Sequence, residues 1–412
     1  MSFQTRTSRG RAPARGGFQR SGGQSFGGGG RSFGGGNKRS GGPKKDYIHP
    51  SRFVKVATPV EESTYTAKNT FEDFAAHDLI KANIAAKGFT VPSPIQDQAI
   101  PLGLEGRDII GLANTGTGKT LAFAVPVLNR VLQDENSHAL IIAPTRELAQ
   151  QIEDEFKTIA RKSGLFGALL IGGSAMGPQL RDLRAAPKIV IGTPGRILDH
   201  MQRGSLDLSG FNMVVLDEVD RMLDMGFVND VRTILGELHE ERQSFFFSAT
   251  LDGKVRDLIS TFSNDPETIS VKTGNTSDNV HQDIVCYENT RDKLDHLHEV
   301  LTKAEVTKAI VFDDTQRSVE RLSEDLIARG FKADAIHGGK TQGQRQRALN
   351  RFKKSEITIL VATDVAARGI DVADISHVIN YSTPQSYQDY VHRVGRAGRA
   401  GRVGYALTFV TG

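Results

Sequence analysis

A glycine-rich loop between an apolar run and a helix-period segment carries the clearest chemistry in the sequence. From Ala113 to Thr120 it reads ANTGTGKT. Its glycines let backbone N–H groups turn onto phosphate oxygens, and the positive end of the following helix faces the same anion. A glycine turn with an incidental lysine is the weaker interpretation. The predicted nucleotide contacts are Thr115, Gly116, Thr117, Gly118, Lys119 and Thr120.

An apolar run that ends in acids lies further along the chain. Met213 to Leu216 predicts a buried strand, and Asp217 and Glu218 follow it directly. A carboxylate at a strand end beside a phosphate loop is where Mg²⁺ needs a ligand, so Asp217 and Thr120 are the predicted metal ligands. Glu218 is then placed to polarise an attacking water. The two motifs together predict nucleotide hydrolysis, but they do not say how its energy is used.

Near the C-terminus, the segment from His392 to Arg402 spaces arginines three residues apart with glycines between them. Guanidinium groups projecting from one side of such a loop can meet a γ-phosphate across a cleft and stabilise transition-state charge. A basic loop that binds nucleic acid is the alternative, because both uses depend on contact with phosphate. The phosphate loop and these arginines lie in different parts of the chain, so hydrolysis is expected to need closure of a cleft.

The elements that must position these motifs alternate between strand and helix. Leu148, Ile152, Phe156 and Ile159 recur at helical spacing between two apolar runs. This order predicts two open α/β domains, each a mostly parallel sheet with helices on both faces and with ligands at the carboxyl ends of its strands. The predicted strands are Asp108–Leu112, Ala139–Ala143, Ile189–Gly192, Met213–Leu216, Phe245–Phe247, Ile284–Tyr287, Ala309–Phe312, Ile357–Val361 and Val378–Asn380.

Composition narrows the class of protein. No apolar run in the 412 residues approaches the roughly 20 residues that span a bilayer. The N-terminus is polar, which argues against a signal peptide. Cys286 is the single cysteine, so an intrachain disulfide is impossible, which fits a reducing compartment. We therefore expect a cytoplasmic protein with no membrane contact.

The first 45 residues have a different character from the rest. They are rich in Gly, Arg, Ser and Phe, with ten Lys or Arg and no acid, whereas the whole chain has a net charge of +4; the remainder therefore carries about −6. Such a segment cannot bury enough apolar surface to fold, so we expect a disordered tail. Its charge favours loose contact with a nucleic acid. A purely solubilising role is the alternative.

In their order, these motifs resemble those of the DEAD-box RNA helicases of bacterial type, a branch of helicase superfamily 2. The resemblance extends over about residues 71–410, and the run from Gly88 to Gln96, GFTVPSPIQ, resembles the Q motif. It implies two tandem RecA-like domains that hydrolyse ATP with Mg²⁺ and bind RNA. The name-giving tetrad reads DEVD, with Val219 in place of Ala, and activity is expected to be kept. Further matching blocks are 144–149, 172–173, 193–196, 312–315 and 362–371.

The resemblance also implies roles for single residues. Gln96 reads the adenine and Phe71 stacks on it, Asp371 contacts the ribose, and Arg396 and Arg399 are the arginine fingers. The implied RNA contacts, which suit backbone recognition with little sequence preference, are Arg146, Gly173, Thr193, Arg196, Thr315, Gln342, Arg345 and Thr363. The residues implied to link hydrolysis to unwinding are Ser248, Thr250 and His392.

These observations lead to an ATP-dependent RNA helicase that separates short duplexes locally, with RNA and ribosomal or other RNP particles as expected partners and a monomer as the expected state. An ATP-gated RNA clamp, a DNA helicase and a non-enzymatic RNA-binding scaffold remain alternatives. The predicted domains are a disordered tail (1–45), a connecting arm (46–70), an ATP-binding domain (71–272), a linker (273–282) and a C-terminal domain (283–412).

Overall fold

Strand and helix alternate from Asp78 onwards in the structure, a computed structural model that describes residues 47–58, 65–114, 116–271, 276–367, 370, 372, 374–398 and 402–412. The predicted tail and the predicted contacts Thr115, Asp371 and Arg399 lie outside the described residues. No helix in the described part of the chain is long and apolar enough to cross a membrane.

A seven-stranded parallel sheet forms the centre of the first domain, in the order β3-β4-β2-β5-β6-β1-β7. Its strands are β1 (Ile109–Leu112), β2 (Ala139–Ile142), β3 (Gly167–Leu170), β4 (Ile189–Gly192), β5 (Met213–Leu216), β6 (Gln243–Ser248) and β7 (Glu267–Ser270). Its helices are α1 (Asp78–Ala86), α2 (Pro94–Leu104), α3 (Lys119–Gln133), α4 (Arg146–Ile159), α5 (Met176–Arg184), α6 (Pro194–Gln202), α7 (Val219–Asp224), α8 (Val228–Gly236) and α9 (Gly253–Phe262).

A six-stranded parallel sheet forms the second domain, in the order β10-β11-β9-β12-β13-β8. Its strands are β8 (Val280–Tyr287), β9 (Ala309–Phe312), β10 (Ala333–Ile336), β11 (Ile359–Ala362), β12 (His377–Asn380) and β13 (Gly404–Thr411). Its helices are α10 (Thr290–Leu301), α11 (Gln316–Ala328), α12 (Gln342–Lys353), α13 (Asp364–Ala367) and α14 (Tyr387–Val394).

Both faces of each sheet are buried, which explains why the central strands are continuously apolar. In β2, Ala139 and Ile141 pack into the apolar cluster on one face, while Leu140 and Ile142 pack into the cluster on the other. Successive side chains of a strand point to opposite faces, so a strand with helices on both sides needs apolar residues throughout. The predicted fold class, two parallel-sheet α/β domains of RecA-like type, is confirmed.

Four strands are absent from the prediction: β13, which lies between β12 and β8, and the strands β3, β7 and β10. The last three lie at the edges of their sheets, and all four have residues that are partly exposed. An edge strand needs no continuous apolar run, so its sequence lacks the pattern that marks the central strands. In addition, β8 begins at Val280, inside the segment predicted as the linker.

The segment predicted as a connecting arm divides into two described parts. Residues 47–58 pack on the second domain, where Phe53 is buried and Lys55 pairs with Gln282 of β8 as an antiparallel bridge. Residues 65–69 contact the first domain through Asp97, which accepts hydrogen bonds from the Tyr65 hydroxyl at 2.5 Å and the Lys68 backbone N–H at 2.8 Å.

Candidate active site

Two glycines in the left-handed region shape the loop between β1 and α3. Gly116 has a φ of +84°, and Gly118, which precedes the first residue of α3, has a φ of +90°. Residues with a Cβ rarely adopt this conformation. A Cβ on Gly118 would also lie 2.4 Å from Nε2 of Gln96, so glycine allows a close approach between the loop and α2. The loop therefore brings backbone N–H groups to the N-terminus of α3, as an anion site requires.

Lys119 and Asp217 form a buried pair beneath this loop. Nζ of Lys119 donates to the Ala113 carbonyl at 3.1 Å and lies 3.8 Å from Oδ1 of Asp217. Burial raises the pKa of Asp217 to about 6, although Lys119 partly opposes the shift. A bound cation would favour the charged carboxylate. Asp217 and the Thr120 hydroxyl therefore fit Mg²⁺, which takes few protein ligands and completes its shell with phosphate and water.

Glu218 follows at the end of β5 in a left-handed conformation, with φ +54° and ψ 53°. Its Oε2 accepts a hydrogen bond from Nη1 of Arg221 at 2.8 Å, and both side chains are buried. Burial favours the neutral acid, but Arg221, Lys119 and Arg396 outweigh it and hold the pKa of Glu218 below its usual value. The carboxylate is therefore charged at neutral pH and can accept a hydrogen bond from a water.

Gln96 joins α2 to the phosphate loop. Its Oε1 accepts a hydrogen bond from the Ser93 N–H at 2.9 Å, and its Nε2 donates to the Gly118 carbonyl at 2.9 Å. A side-chain amide has two donor hydrogens and two acceptor positions, so one of each remains. That remaining pair matches the N7 acceptor and N6 donor of adenine.

The structure corrects the prediction for Phe71. This ring is 4% exposed and packs edge-on against Phe74, with 5.8 Å between centroids, inside the core of the first domain. It has no open face for a base. Phe89 is 44% exposed and lines a cavity of about 280 Å³ together with Gln96 and Lys119. The sequence showed both rings, but only packing decides which one is exposed.

Asp220 connects the acidic tetrad to the turn after β6. Its Oδ2 accepts hydrogen bonds from the backbone N–H groups of Ala249 and Thr250, both at 3.1 Å, and from the Thr250 hydroxyl at 3.3 Å. The Asp220 N–H in turn donates to the buried Ser248 hydroxyl at 3.3 Å. The predicted coupling residues Ser248 and Thr250 are thus bonded directly to the tetrad, through an acid that had been given no role.

Arg396 follows α14 and approaches the first domain. Its Nη1 donates to the Ile370 carbonyl at 2.8 Å, and its Nε donates to the His392 carbonyl at 3.3 Å. His392 and Arg396 line a narrow gap with Arg221 of the first domain. The charge of Arg396 contributes to the low pKa of Glu218, so the second domain already acts on the hydrolytic end of the site.

The predicted RNA contacts of the first domain meet in one groove. Arg146, Thr193 and Arg196 line a cavity of about 380 Å³ together with Arg345 of the second domain. The Arg146 guanidinium lies so close to Gly173 that a Cβ there would be 2.2 Å from Nη1. Arginines and hydroxyls that line such a groove suit contact with a phosphate backbone.

The second domain contributes a buried ion pair to this groove. Nη2 of Arg345 lies 2.8 Å from Oε2 of Glu147, and both side chains are buried. Burial raises the pKa of Glu147, with Arg345 opposing it. Gln342, three residues before Arg345, is also buried and begins the same helix, α12.

Thr315 and Thr363 occupy the ends of two neighbouring strands of the second domain. Thr315 follows β9 and caps α11 by accepting the Ser318 N–H at 3.1 Å, and Thr363 follows β11 directly. The carboxyl ends of adjacent parallel strands meet at one edge of a sheet, where ligands bind in such folds. Gln342, Thr315 and Thr363 are not part of the lining of the groove that contains Arg345.

Comparisons with known proteins agree with this architecture. Residues 93–258 match the DEAD/DEAH box helicase family and residues 292–401 match the helicase conserved C-terminal domain. The chain is 44% identical to the DEAD-box ATP-dependent RNA helicase CshA of Bacillus subtilis, over 83% of this chain and 69% of that protein. This chain belongs to the DEAD-box ATP-dependent RNA helicases.

Further relatives support the family assignment. The ATP-dependent RNA helicase CshA of Listeria monocytogenes is 44% identical over 82% of this chain and 66% of its own length. Dbp5 of S. cerevisiae bound to RNA and ADP BeF3 superposes with a TM-score of 0.73 and 30% identity, over 83% of this chain and 90% of that chain. Mss116p bound to ssRNA and AMP-PNP superposes with a TM-score of 0.75 and 29% identity, over 86% of this chain and 77% of that chain.

Four further side chains complete the sites of this DEAD-box protein, and the sequence had given none of them a role. Phe89 lines the cavity beside the phosphate loop, and Arg221 donates a hydrogen bond to Glu218. Asp220 accepts hydrogen bonds from the turn after β6, and Glu147 forms an ion pair with Arg345. Phe89, Asp220 and Glu147 belong to blocks that the sequence had identified, and Arg221 directly follows the acidic tetrad. The turn bonded to Asp220 and the arginine paired with Glu147 were not visible, because they lie far away in the chain, whereas Glu218 is only three residues from Arg221.

Proposed function

We propose that this DEAD-box protein uses ATP hydrolysis to drive local separation of short RNA duplexes or remodelling of RNPs. The observation that carries the proposal is that both domains contribute to both sites. Arg396 acts on Glu218 at the nucleotide end, and Arg345 pairs with Glu147 in the groove. Two ligands that each favour the same closed arrangement raise one another's affinity, which couples hydrolysis to RNA binding.

In this mechanism the first domain binds and orients ATP. Gln96 reads the adenine with its free donor and acceptor, while Phe89 offers a ring face to the base. The phosphate loop and Lys119 hold the phosphates, and Asp217 and Thr120 hold Mg²⁺, which neutralises phosphate charge when it is bound.

The remaining steps involve both domains. Glu218 accepts a hydrogen bond from the attacking water, and Arg396 stabilises the charge that develops on the γ-phosphate. Arg399 as a second finger and Asp371 at the ribose are part of the same proposal. Asp220 couples the nucleotide site to Ser248 and Thr250. Its hydrogen bonds to their turn mean that a shift of the acidic tetrad would also move the turn.

RNA is proposed to lie in the groove along its phosphate backbone, bound by Arg146, Arg196 and Arg345 with little sequence preference. A monomer acting in the cytoplasm on ribosomal or other RNP particles is the proposed setting. The relatives above that are CshA proteins come from bacteria, which supports the bacterial type.

The test is ATP hydrolysis measured without nucleic acid, with single-stranded RNA and with DNA of the same sequence. RNA should stimulate the rate and DNA should not. Lys119→Ala should lower the rate by about 10²-fold or more, the typical loss when a charge-stabilising donor is removed. Lys157→Ala, an exposed lysine on α4, is the matched control. Equal stimulation by DNA would contradict the RNA assignment.

Strand separation distinguishes a helicase from a clamp. A short RNA duplex with a single-stranded extension should come apart in the presence of ATP, and the Lys119→Ala variant should leave it paired. Stable ATP-dependent binding without separation would instead favour a protein that holds RNA.

A further inference from the structure

The segment of residues 47–58, here called the arm segment, contacts the helix that leads to Arg396. Phe53 is 1% exposed, and its ring centroid lies 4.8 Å from that of Tyr390 on α14. The Arg52 guanidinium lies 3.6 Å above the ring centroid of Tyr387, one turn earlier on the same helix. Two consecutive arm residues therefore pack against two consecutive turns of α14.

The arm segment is also bonded to the sheet behind that helix. The backbone of Lys55 exchanges two hydrogen bonds with the backbone of Gln282 on β8, at 2.9 and 2.8 Å. The side-chain Oε1 of Gln282 accepts a hydrogen bond from the Tyr390 hydroxyl at 2.9 Å. The arm, β8 and α14 thus form one connected contact in which each part touches the other two.

A rigid chain of contacts leads from α14 to Arg396. Arg393, on the last turn of α14, makes a bidentate pair with Asp364 at 2.5 and 2.6 Å and donates to the Ser382 carbonyl at 2.7 Å. The Arg396 N–H donates to the Arg393 carbonyl at 3.0 Å. A tilt of α14 would therefore move Arg396 relative to Glu218.

We propose that the arm segment positions the arginine finger, with Arg52 and Phe53 as positioning residues that act through α14. This inference rests on the role proposed above for Arg396. Arg396 must reach charge that develops only in the transition state, where a displacement of about 1 Å can cost 10²-fold in rate. Residues that precede the first domain in the chain would thus control a catalytic group of the second.

The same segment supplies its own control residues. Val54 and Val56 are 51% and 74% exposed, so their side chains contribute little to the contact with α14. Arg52 is itself exposed, and its replacement leaves the buried Phe53 in place. Arg52→Ala therefore removes one contact with α14 and leaves the buried core contact of Phe53 intact.

The test uses the full chain and measures RNA-stimulated ATP hydrolysis at saturating RNA. Arg52→Ala should lower kcat by about two- to fivefold, the factor expected for an exposed cation–π contact, with KM for ATP unchanged. Arg52→Lys, which keeps a cation above the ring, should restore most of the rate. Val54→Ala should behave as the wild-type chain. A normal kcat for Arg52→Ala would overturn the inference.

A second measurement shows whether the arm acts through the finger. In a chain that already carries Arg396→Ala, Arg52→Ala should cause no further loss of kcat, since coupled residues are not additive. An equal loss in both backgrounds would assign Arg52 a general structural role and overturn the inference. If Arg396→Ala alone left kcat unchanged, the proposed finger itself would be wrong, which separates that failure from a failure of the arm.

Discussion

At the scale of single residues, the adenine end of the nucleotide site depends on which aromatic ring keeps an exposed face. Phe89 lines the cavity beside Gln96, whereas Phe71 is packed into the core against Phe74. Two rings of the same type therefore have different physical tasks. One offers stacking area to a ligand, and the other contributes burial to folding.

Replacing each ring by alanine should separate these tasks. Phe89→Ala should raise KM for ATP by about five- to tenfold, on the order of 1 kcal/mol of stacking, with an unchanged unfolding midpoint. Phe71→Ala should lower the free energy of unfolding by about 3–5 kcal/mol through the cavity it leaves. Steady-state ATPase kinetics and urea unfolding measure the two effects. A larger KM effect for Phe71→Ala in folded protein would reverse the assignment.

Asp217 makes stability depend on pH in the nucleotide-free protein. Burial raises its pKa from 3.8 to about 6, so the charged form is less favourable in the folded state than in the unfolded state. The stability linked to this group is therefore present below about pH 4 and lost as the pH rises through about 6. Asp217→Asn should be more stable than the wild type at pH 7, and the difference should disappear near pH 4.

Urea unfolding at a series of pH values measures this difference. The exposed Asp257 provides a control. Asp257→Asn also removes one negative charge, but from a solvent-exposed position. A stability difference for Asp217→Asn that does not change with pH would contradict the prediction.

At the scale of elements, the loop between β3 and α5 sets the position of Arg146, a proposed RNA contact. Gly173 has a φ of +74°, and its missing Cβ leaves space for the Arg146 guanidinium. Gly177, four residues later on α5, has nothing within 4 Å of an added Cβ. The same substitution should therefore have opposite consequences at the two glycines.

Gly173→Ala should displace Arg146 and raise the RNA concentration needed for half-maximal ATPase stimulation by about 10- to 150-fold, since one charged hydrogen bond is worth about 1.5–3 kcal/mol. Gly177→Ala should leave this concentration unchanged and slightly stabilise α5. RNA titrations of the ATPase rate measure both. Equal behaviour of the two variants would show that the position of Arg146 does not limit RNA binding.

At the scale of the whole molecule, Arg345 and Glu147 tie the second domain to the first within the groove. Both are buried, and Arg345 is the main charge that compensates Glu147, with a smaller contribution from Arg146. Removing one partner of such a pair leaves a buried charge without compensation, which costs more than removing both.

The two single variants and their combination should therefore be non-additive. Arg345→Ala and Glu147→Ala should each lower the RNA-stimulated kcat/KM, and the double variant should lose no more than the worse single one, with a coupling of about 0.5–3 kcal/mol. Arg329→Ala, which removes an exposed ion pair with Asp295 inside the second domain, is the control. Strictly additive losses would show that the pair does not act as a unit.

The chemistry that depends on neighbouring residues could be predicted from the sequence alone. Glycines two residues apart before Lys119 encode the turn of the phosphate loop, and an apolar strand ending at Asp217 encodes an acid at the edge of a sheet. The central strands other than β13 were visible for the same reason. A strand that is buried on both faces needs consecutive apolar residues, and such a run can be recognised in the local sequence.

Which side chains meet and which are exposed could be seen only in the folded protein. The edge strands β3, β7 and β10, the burial of Phe71 and the contact of Arg345 with Glu147 all depend on packing between distant segments. The arm segment is the clearest case, since residues 47–58 precede the first domain in the chain and pack on the second. Local spacing fixes backbone conformation, whereas burial and charge pairing are properties of surfaces that exist only after the chain has folded.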